Sequence, residues 1–135
     1  MSVRGSCLCG GVRFSVNGPL RDAVACHCAQ CRKTSGHFVA ATSARREDVT
    51  MLSDATLAWY RSSRAARRGF CNVCGASIFW DRIDGPRLSI HAGVLDAPTG
   101  LRLIGHIFCA DKGDYYDIDD GLPQADAASP DLTTA

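Results

Sequence analysis

Cys26-His27-Cys28-Ala29-Gln30-Cys31-Arg32-Lys33 is the stretch on which the reading of this chain turns. Three cysteines are spaced C-x-C-x-x-C, and two cations follow them. Two further groups flank the stretch, Cys7-Leu8-Cys9 on one side and Cys71-Asn72-Val73-Cys74-Gly75 on the other. Only Cys109 of the eight cysteines stands apart, so the grouping asks for a chemical reason. Zinc supplies one. Thiolates bind it at about 2.3 Å, and a tetrahedral site needs neighbouring sulfurs under about 4 Å apart. A C-x-x-C turn, or a C-x-C at a strand end, delivers such a pair.

Counting ligands divides the groups. A structural zinc site is closed by four ligands. Cys71 and Cys74, with Gly75 behind them, read as a knuckle, since a glycine there permits the tight turn that aims backbone N–H groups at sulfur. Its complement is Cys7 and Cys9. Cys26, Cys28 and Cys31 are left to share a second metal with one coordination position open, the usual mark of a catalytic zinc. Three thiolates donate much charge and make that zinc a weak Lewis acid, better suited to holding a substrate thiolate than to generating hydroxide. Arg32 and Lys33 would offset the charge or receive an anionic substrate.

The 135 residues suit one domain with a core of its own. Hydrophobic residues make up 46%. With 15 Lys+Arg against 14 Asp+Glu, the balance does not advertise a polyanionic partner. The N-terminus lacks the apolar run of a signal peptide, and no segment approaches the ~20 apolar residues of a membrane span. The expected setting is therefore cytoplasmic and reducing, which favours two zinc sites over four disulfides.

Along the chain, Val12-Arg13-Phe14-Ser15-Val16 alternates as a half-buried strand, closed by Asn17-Gly18-Pro19. Further strands are predicted over 23–25, 37–42, 76–80, 88–92 and 101–108, with 45–54 a helical turn leading into a strand. Thr34-Ser35-Gly36 reads as a turn. Residues 56–60 and 69–70 flank a hairpin whose tip carries Arg61, Arg64, Arg67 and Arg68. No long stretch has a helical period. The result is one mainly β domain over 1–124 and a loose small-residue tail over 125–135.

The cysteine pattern, with Gly93-Val94-Leu95-Asp96-Ala97-Pro98 and Leu122-Pro123, resembles the glutathione-dependent formaldehyde-activating enzyme family, or CENP-V/GFA domain, from about Gly5 to Pro123. Lys112-Gly113-Asp114-Tyr115 stands where members often place a tryptophan after Lys-x-x. The resemblance implies an Mss4-like (β-tent) fold of small antiparallel sheets organised around zinc. It implies a structural zinc on Cys7, Cys9, Cys71 and Cys74 and a catalytic zinc on Cys26, Cys28 and Cys31. It also implies a carbon–sulfur lyase that reversibly joins a small thiol such as glutathione to a small aldehyde such as formaldehyde, with Arg32 or Lys33 at the developing oxyanion or the thiol's carboxylate.

The alternative is a non-catalytic zinc module that binds protein or nucleic acid, with Cys109 closing the second site. Cys109 reads more simply as a small buried hydrophobe in Ile107-Phe108-Cys109-Ala110. His27, between two ligands in an extended segment, should point away from their metal. His37, His91 and His106 read as satisfied core or surface residues. The four arginines read as a solvated hairpin tip, because the aromatic interleaving of a nucleic-acid platform is missing. Trp59, Phe79 and Trp80 read as core. No organic cofactor is indicated.

Overall fold

The computed structural model describes residues 2–134. Strand β2 (Val12–Asn17) realises the predicted alternation, with Val12, Phe14 and Val16 buried and Arg13 and Asn17 exposed. It pairs antiparallel with β1 (Ser2–Ser6) on one side and β5 (Val49–Asp54) on the other, forming a three-stranded sheet.

A second sheet carries seven strands in the order β10 (Leu103–Ile107), β3 (Ala23–Cys26), β4 (Val39–Arg45), β9 (Arg87–His91), β8 (Ser77–Arg82), β7 (Ala66–Cys71), β6 (Leu57–Arg61). The expectation of a mainly β chain holds. One refinement concerns direction: β10 runs parallel to β3, while the other pairs of this sheet are antiparallel. The core joins Val12, Phe14 and Val16 to Ala44, Ile78, Phe79, Leu88 and Ile90, and Phe14 meets Phe79 at a ring-centroid distance of 5.1 Å. Cys7 and Cys71 belong to the same buried cluster, so one cysteine group sits at the margin of the hydrophobic core.

Three expectations need correction. The stretch after Cys28 is a helix, α1 (Ala29–Ser35), too short to show a period. The Cys28 side chain accepts from the Cys31 N–H at its start, and Gly36, at φ 88°, ends it in the left-handed region that glycine adopts freely. The arginine group also divides. Arg61 and Arg64 are exposed near the tip, but Arg67 and Arg68 belong to β7. Arg67 lies over the Trp59 ring and pairs with buried Asp81 at 2.8 Å, while Arg68 is 8% exposed.

The tail, last, is docked. Phe108, Cys109 and Ala110 donate backbone hydrogen bonds to Ala127, Ala125 and Asp126. A short helix, α2 (Pro130–Thr133), brings Leu132 against Gly105, where a Cβ would lie 2.8 Å from the Leu132 side chain. Without its own β partner, the outer edge of β10 has unpaired backbone groups, and the tail satisfies them.

Candidate metal centres

The first centre gathers residues distant in sequence. Cys7 and Cys9 follow β1, Cys71 ends β7 and Cys74 lies in the turn to β8; the four sulfurs lie within 4.8 Å of one another. Two of the sulfur–sulfur distances are 3.7 Å (Cys7–Cys9) and 3.6 Å (Cys9–Cys71). A tetrahedron with bonds of about 2.3 Å has edges of about 3.8 Å, so the donor set fits zinc without rearrangement.

Backbone N–H groups aim at the sulfurs: Val12 at Cys7 (3.3 Å), and Val73 and Cys74 at Cys71 (3.4 and 3.3 Å). Gly75 has the positive φ, 78°, that the knuckle reading requires. The Thr56 hydroxyl lies 3.1 Å from Cys71 sulfur, and Gly11 is the opening that admits it, since a Cβ there would stand 2.2 Å from Thr56 Oγ1. The N–H of Cys74, and next the Thr56 hydroxyl, push the Cys71 thiol down to about 5. These groups stabilise thiolate, the form a metal binds.

The second centre is local. Cys26 ends β3, Cys28 caps α1 and Cys31 lies in its first turn; their sulfurs also converge within 4.8 Å. Hydrogen bonds from Cys26, then from Cys31, hold the Cys28 thiol far below its ordinary value, and Cys26 is pushed up by the same bond. One thiolate thus takes hydrogen bonds from two thiols, an arrangement in which a dication replaces the shared protons. All eight cysteines are free, and Cys109, in a 3₁₀ turn after β10, lies outside both clusters. Three donors, among the described residues, form this second set.

His27 does point away from the sulfurs, and it is wholly buried. Its Nδ1 meets the Tyr116 hydroxyl, its Nε2 lies 2.9 Å from His106 Nδ1, and His106 Nε2 lies 2.7 Å from Asp120 Oδ2. A neutral imidazole donates one hydrogen bond and accepts one, so the donors run from Tyr116 through His27 and His106 to the Asp120 carboxylate. Burial above all, with help from His106, lowers His27 to about 4, which keeps it neutral. These bonds fix the ring of the residue that stands between Cys26 and Cys28. Sequence inspection missed this chain of bonds because its members lie 79, 14 and 89 positions apart. Tyr115, at the family's tryptophan position, bonds His37 Nδ1 through its hydroxyl at 2.7 Å.

The predicted cations separate. Lys33 is exposed on α1, two residues past Cys31 and therefore on another face of the helix. Arg32 is half-buried, and its Nε has no partner. A cation expected at the solvated hairpin tip reaches a sulfur instead: Arg68 Nη2 lies 3.8 Å from Cys31 Sγ. Its Nε and Nη2 also donate to Gln30 Oε1, at 3.3 and 3.1 Å.

Comparison with known proteins agrees with this arrangement. The family model described as glutathione-dependent formaldehyde-activating enzyme (GFA) matches residues 2–111, which include both cysteine clusters. The chain belongs to the GFA family. An uncharacterised lyase of Schizosaccharomyces pombe is 26% identical over 115 residues, covering 84% of this chain and 82% of that protein. A crystal structure of a Rhodobacter sphaeroides protein is similar with a TM-score of 0.59 and 30% identity, over 76% of this chain and 98% of that one. GFA membership, with a relative named as a lyase, supports a lyase of GFA type, and the two clusters are compatible with metal ions. No helix of the described residues is long and apolar enough to cross a membrane.

Proposed function

We propose that the protein is a zinc-dependent carbon–sulfur lyase that reversibly adds a small thiol of the glutathione type to a small aldehyde in a reducing, cytoplasmic setting. The observation that carries this reading is the three-sulfur set of Cys26, Cys28 and Cys31, which leaves room for one further ligand. Zinc held by these residues would supply the charge that keeps a substrate thiol deprotonated near neutral pH. Zinc held by Cys7, Cys9, Cys71 and Cys74 would be structural.

The chain's own residues do the rest. The Tyr116–His27–His106–Asp120 chain fixes His27, the residue between two of the sulfur donors. Arg32, with its partnerless Nε, is assigned to the thiol substrate's carboxylate, and Lys33 adds a supporting charge at the surface. A carbon–sulfur bond forms as the carbonyl π pair moves onto oxygen. The oxygen takes a proton, and the product is a hemithioacetal; cleavage reverses each change. Arg68 is the donor assigned to the developing oxyanion.

The competing reading, a binding module with two closed structural sites, needs a fourth ligand from Cys109, and that residue lies outside the cluster. Native mass spectrometry with and without millimolar glutathione, paired with NMR exchange measurements of adduct formation, tests the proposal. Two zincs, a retained glutathione and accelerated exchange are expected. Two zincs with no retained thiol and no acceleration would overturn it.

A further inference from the structure

A cavity of about 310 Å³ opens beside the second cluster, between α1 and strands β7–β9. Arg68 joins the two, since it lines the cavity and also touches Cys31 sulfur. The walls are mainly apolar, from Phe70, Phe79, Gly69 and the ring of Tyr60. Two polar groups stand out among them. Arg68 is 8% exposed and makes no ion pair with a carboxylate among the described residues. Gln30 occupies its Nε/Nη2 edge, and Nη1 makes no hydrogen bond among the described residues. His91 is 9% exposed, and its buried Nε2 has no hydrogen-bond partner. That nitrogen has almost no accessible surface, so it does not open onto the cavity, and other atoms of His91 form this part of the wall. Burial first, then Arg68, pushes His91 down to about 4, so the ring stands neutral beside the cation.

Size separates the candidate occupants. A water takes about 30 Å³ of liquid, so the cavity has the volume of roughly ten waters. Formaldehyde, with two heavy atoms, would leave it nearly empty, and the apolar walls would have nothing to cover. We infer that this cavity seats the electrophile of the reaction, and that the electrophile is an aldehyde with an apolar body of several carbons, its oxygen received by Arg68. The inference rests on the lyase reading above. Carbon–sulfur bond formation at the Arg68 end of the cavity leaves the new hydroxyl on that side chain and the body against Phe70 and Phe79. The thiol supplies the proton that the oxygen gains, so no oxidant or further reactant is needed.

The test compares formaldehyde, butanal and benzaldehyde as partners of glutathione on the zinc-loaded protein, by NMR exchange, for the wild type and Thr34→Phe. Thr34 lines the cavity from an exposed position on α1, so a larger side chain there fills the space with little threat to folding. Arg68→Lys is the second variant, because it keeps the charge and loses the fixed fork. Saturation-transfer NMR with benzyl alcohol reads occupancy independently of turnover. The wild type should favour butanal or benzaldehyde over formaldehyde at least tenfold in kcat/KM. Thr34→Phe should cut that ratio tenfold and erase the benzyl alcohol signal; Arg68→Lys should lower kcat on the larger aldehydes more than tenfold. Acceleration confined to formaldehyde, or a ratio that Thr34→Phe does not move, overturns the inference and leaves the lyase standing. No acceleration with any aldehyde overturns both.

Discussion

The two cysteine clusters use the same donor atom and differ in nearly everything around it. The first draws Cys7 and Cys9 against Cys71 and Cys74, 62 positions apart between Cys9 and Cys71, and ties the start of one sheet to a turn of the other. Four donors close it, and two of its members lie in the hydrophobic core. The second is assembled within one β3–α1 connection and holds together nothing distant. It has three donors, a hydrogen-bond chain through two buried histidines behind it and a cavity that shares Arg68 with it. The difference matches the proposed division of roles, one centre to hold and one to act. Sulfurs brought from afar make a staple, because releasing the metal frees a long loop. Sulfurs from one short segment cost the fold little and can keep a position open.

The most severe way to break this comparison is to remove the staple. Cys71→Ser should abolish the cooperative unfolding transition at 25 °C, because metal sites of this kind contribute on the order of 10 kcal/mol, comparable with the whole stability of a domain. Near-UV circular dichroism checks it, and a native-like spectrum with one zinc retained would erase the distinction between the centres. Cys28→Ser should do the opposite. A serine hydroxyl can still cap α1, so the fold should survive while zinc content drops from two to one. Adduct exchange should fall by about a hundredfold or more; unchanged exchange would remove the second centre from the chemistry.

A smaller effect belongs to pH. His91 has a folded value of about 4, below the ~6.5 of an unfolded histidine. Between those values the unfolded chain binds the extra proton, so stability is complete above pH ~6.5 and lost as pH falls toward 4, by up to about 3 kcal/mol. His91→Gln should flatten that limb in urea titrations run at matched pH. Both proteins shed zinc in acid, so the difference between their curves isolates the side chain. Identical curves would mean that the imidazole finds a partner in solution. Smallest of all, Cys109→Ser should leave two zincs bound and shift stability by no more than about 0.5 kcal/mol. Loss of one zinc would show that the second centre is closed by four cysteines.

Much of this was legible along the chain. The period-2 pattern of Val12, Phe14 and Val16 announces a strand with one buried face, and burial follows it. Cysteine spacing alone separates the four donors from the three, because i+2 and i+3 neighbours can share one metal. That His27 turns from the sulfurs follows from its place between two of them. The arginines were not legible. Arg64 and Arg68 are the same residue type four positions apart, yet one is exposed near a hairpin tip and the other is buried against Cys31. A charged side chain carries no periodic signal of burial, since burial depends on a partner that another element supplies.

Local chemistry, then, was settled by the sequence: thiols close enough to share a metal, a glycine where the knuckle needs a positive φ, and alternation that commits strands to a sheet. Only the tertiary structure brought Arg68, at the wall of a cavity, to the second cluster, linked Tyr116 to Asp120 through two histidines, and laid the tail along β10. The physical reason is range. Spacing governs contacts within a turn or a strand. Hydrogen bonds and cavities between β7, β9, α1 and the C-terminal segment exist only after the hydrophobic core has fixed those elements against one another.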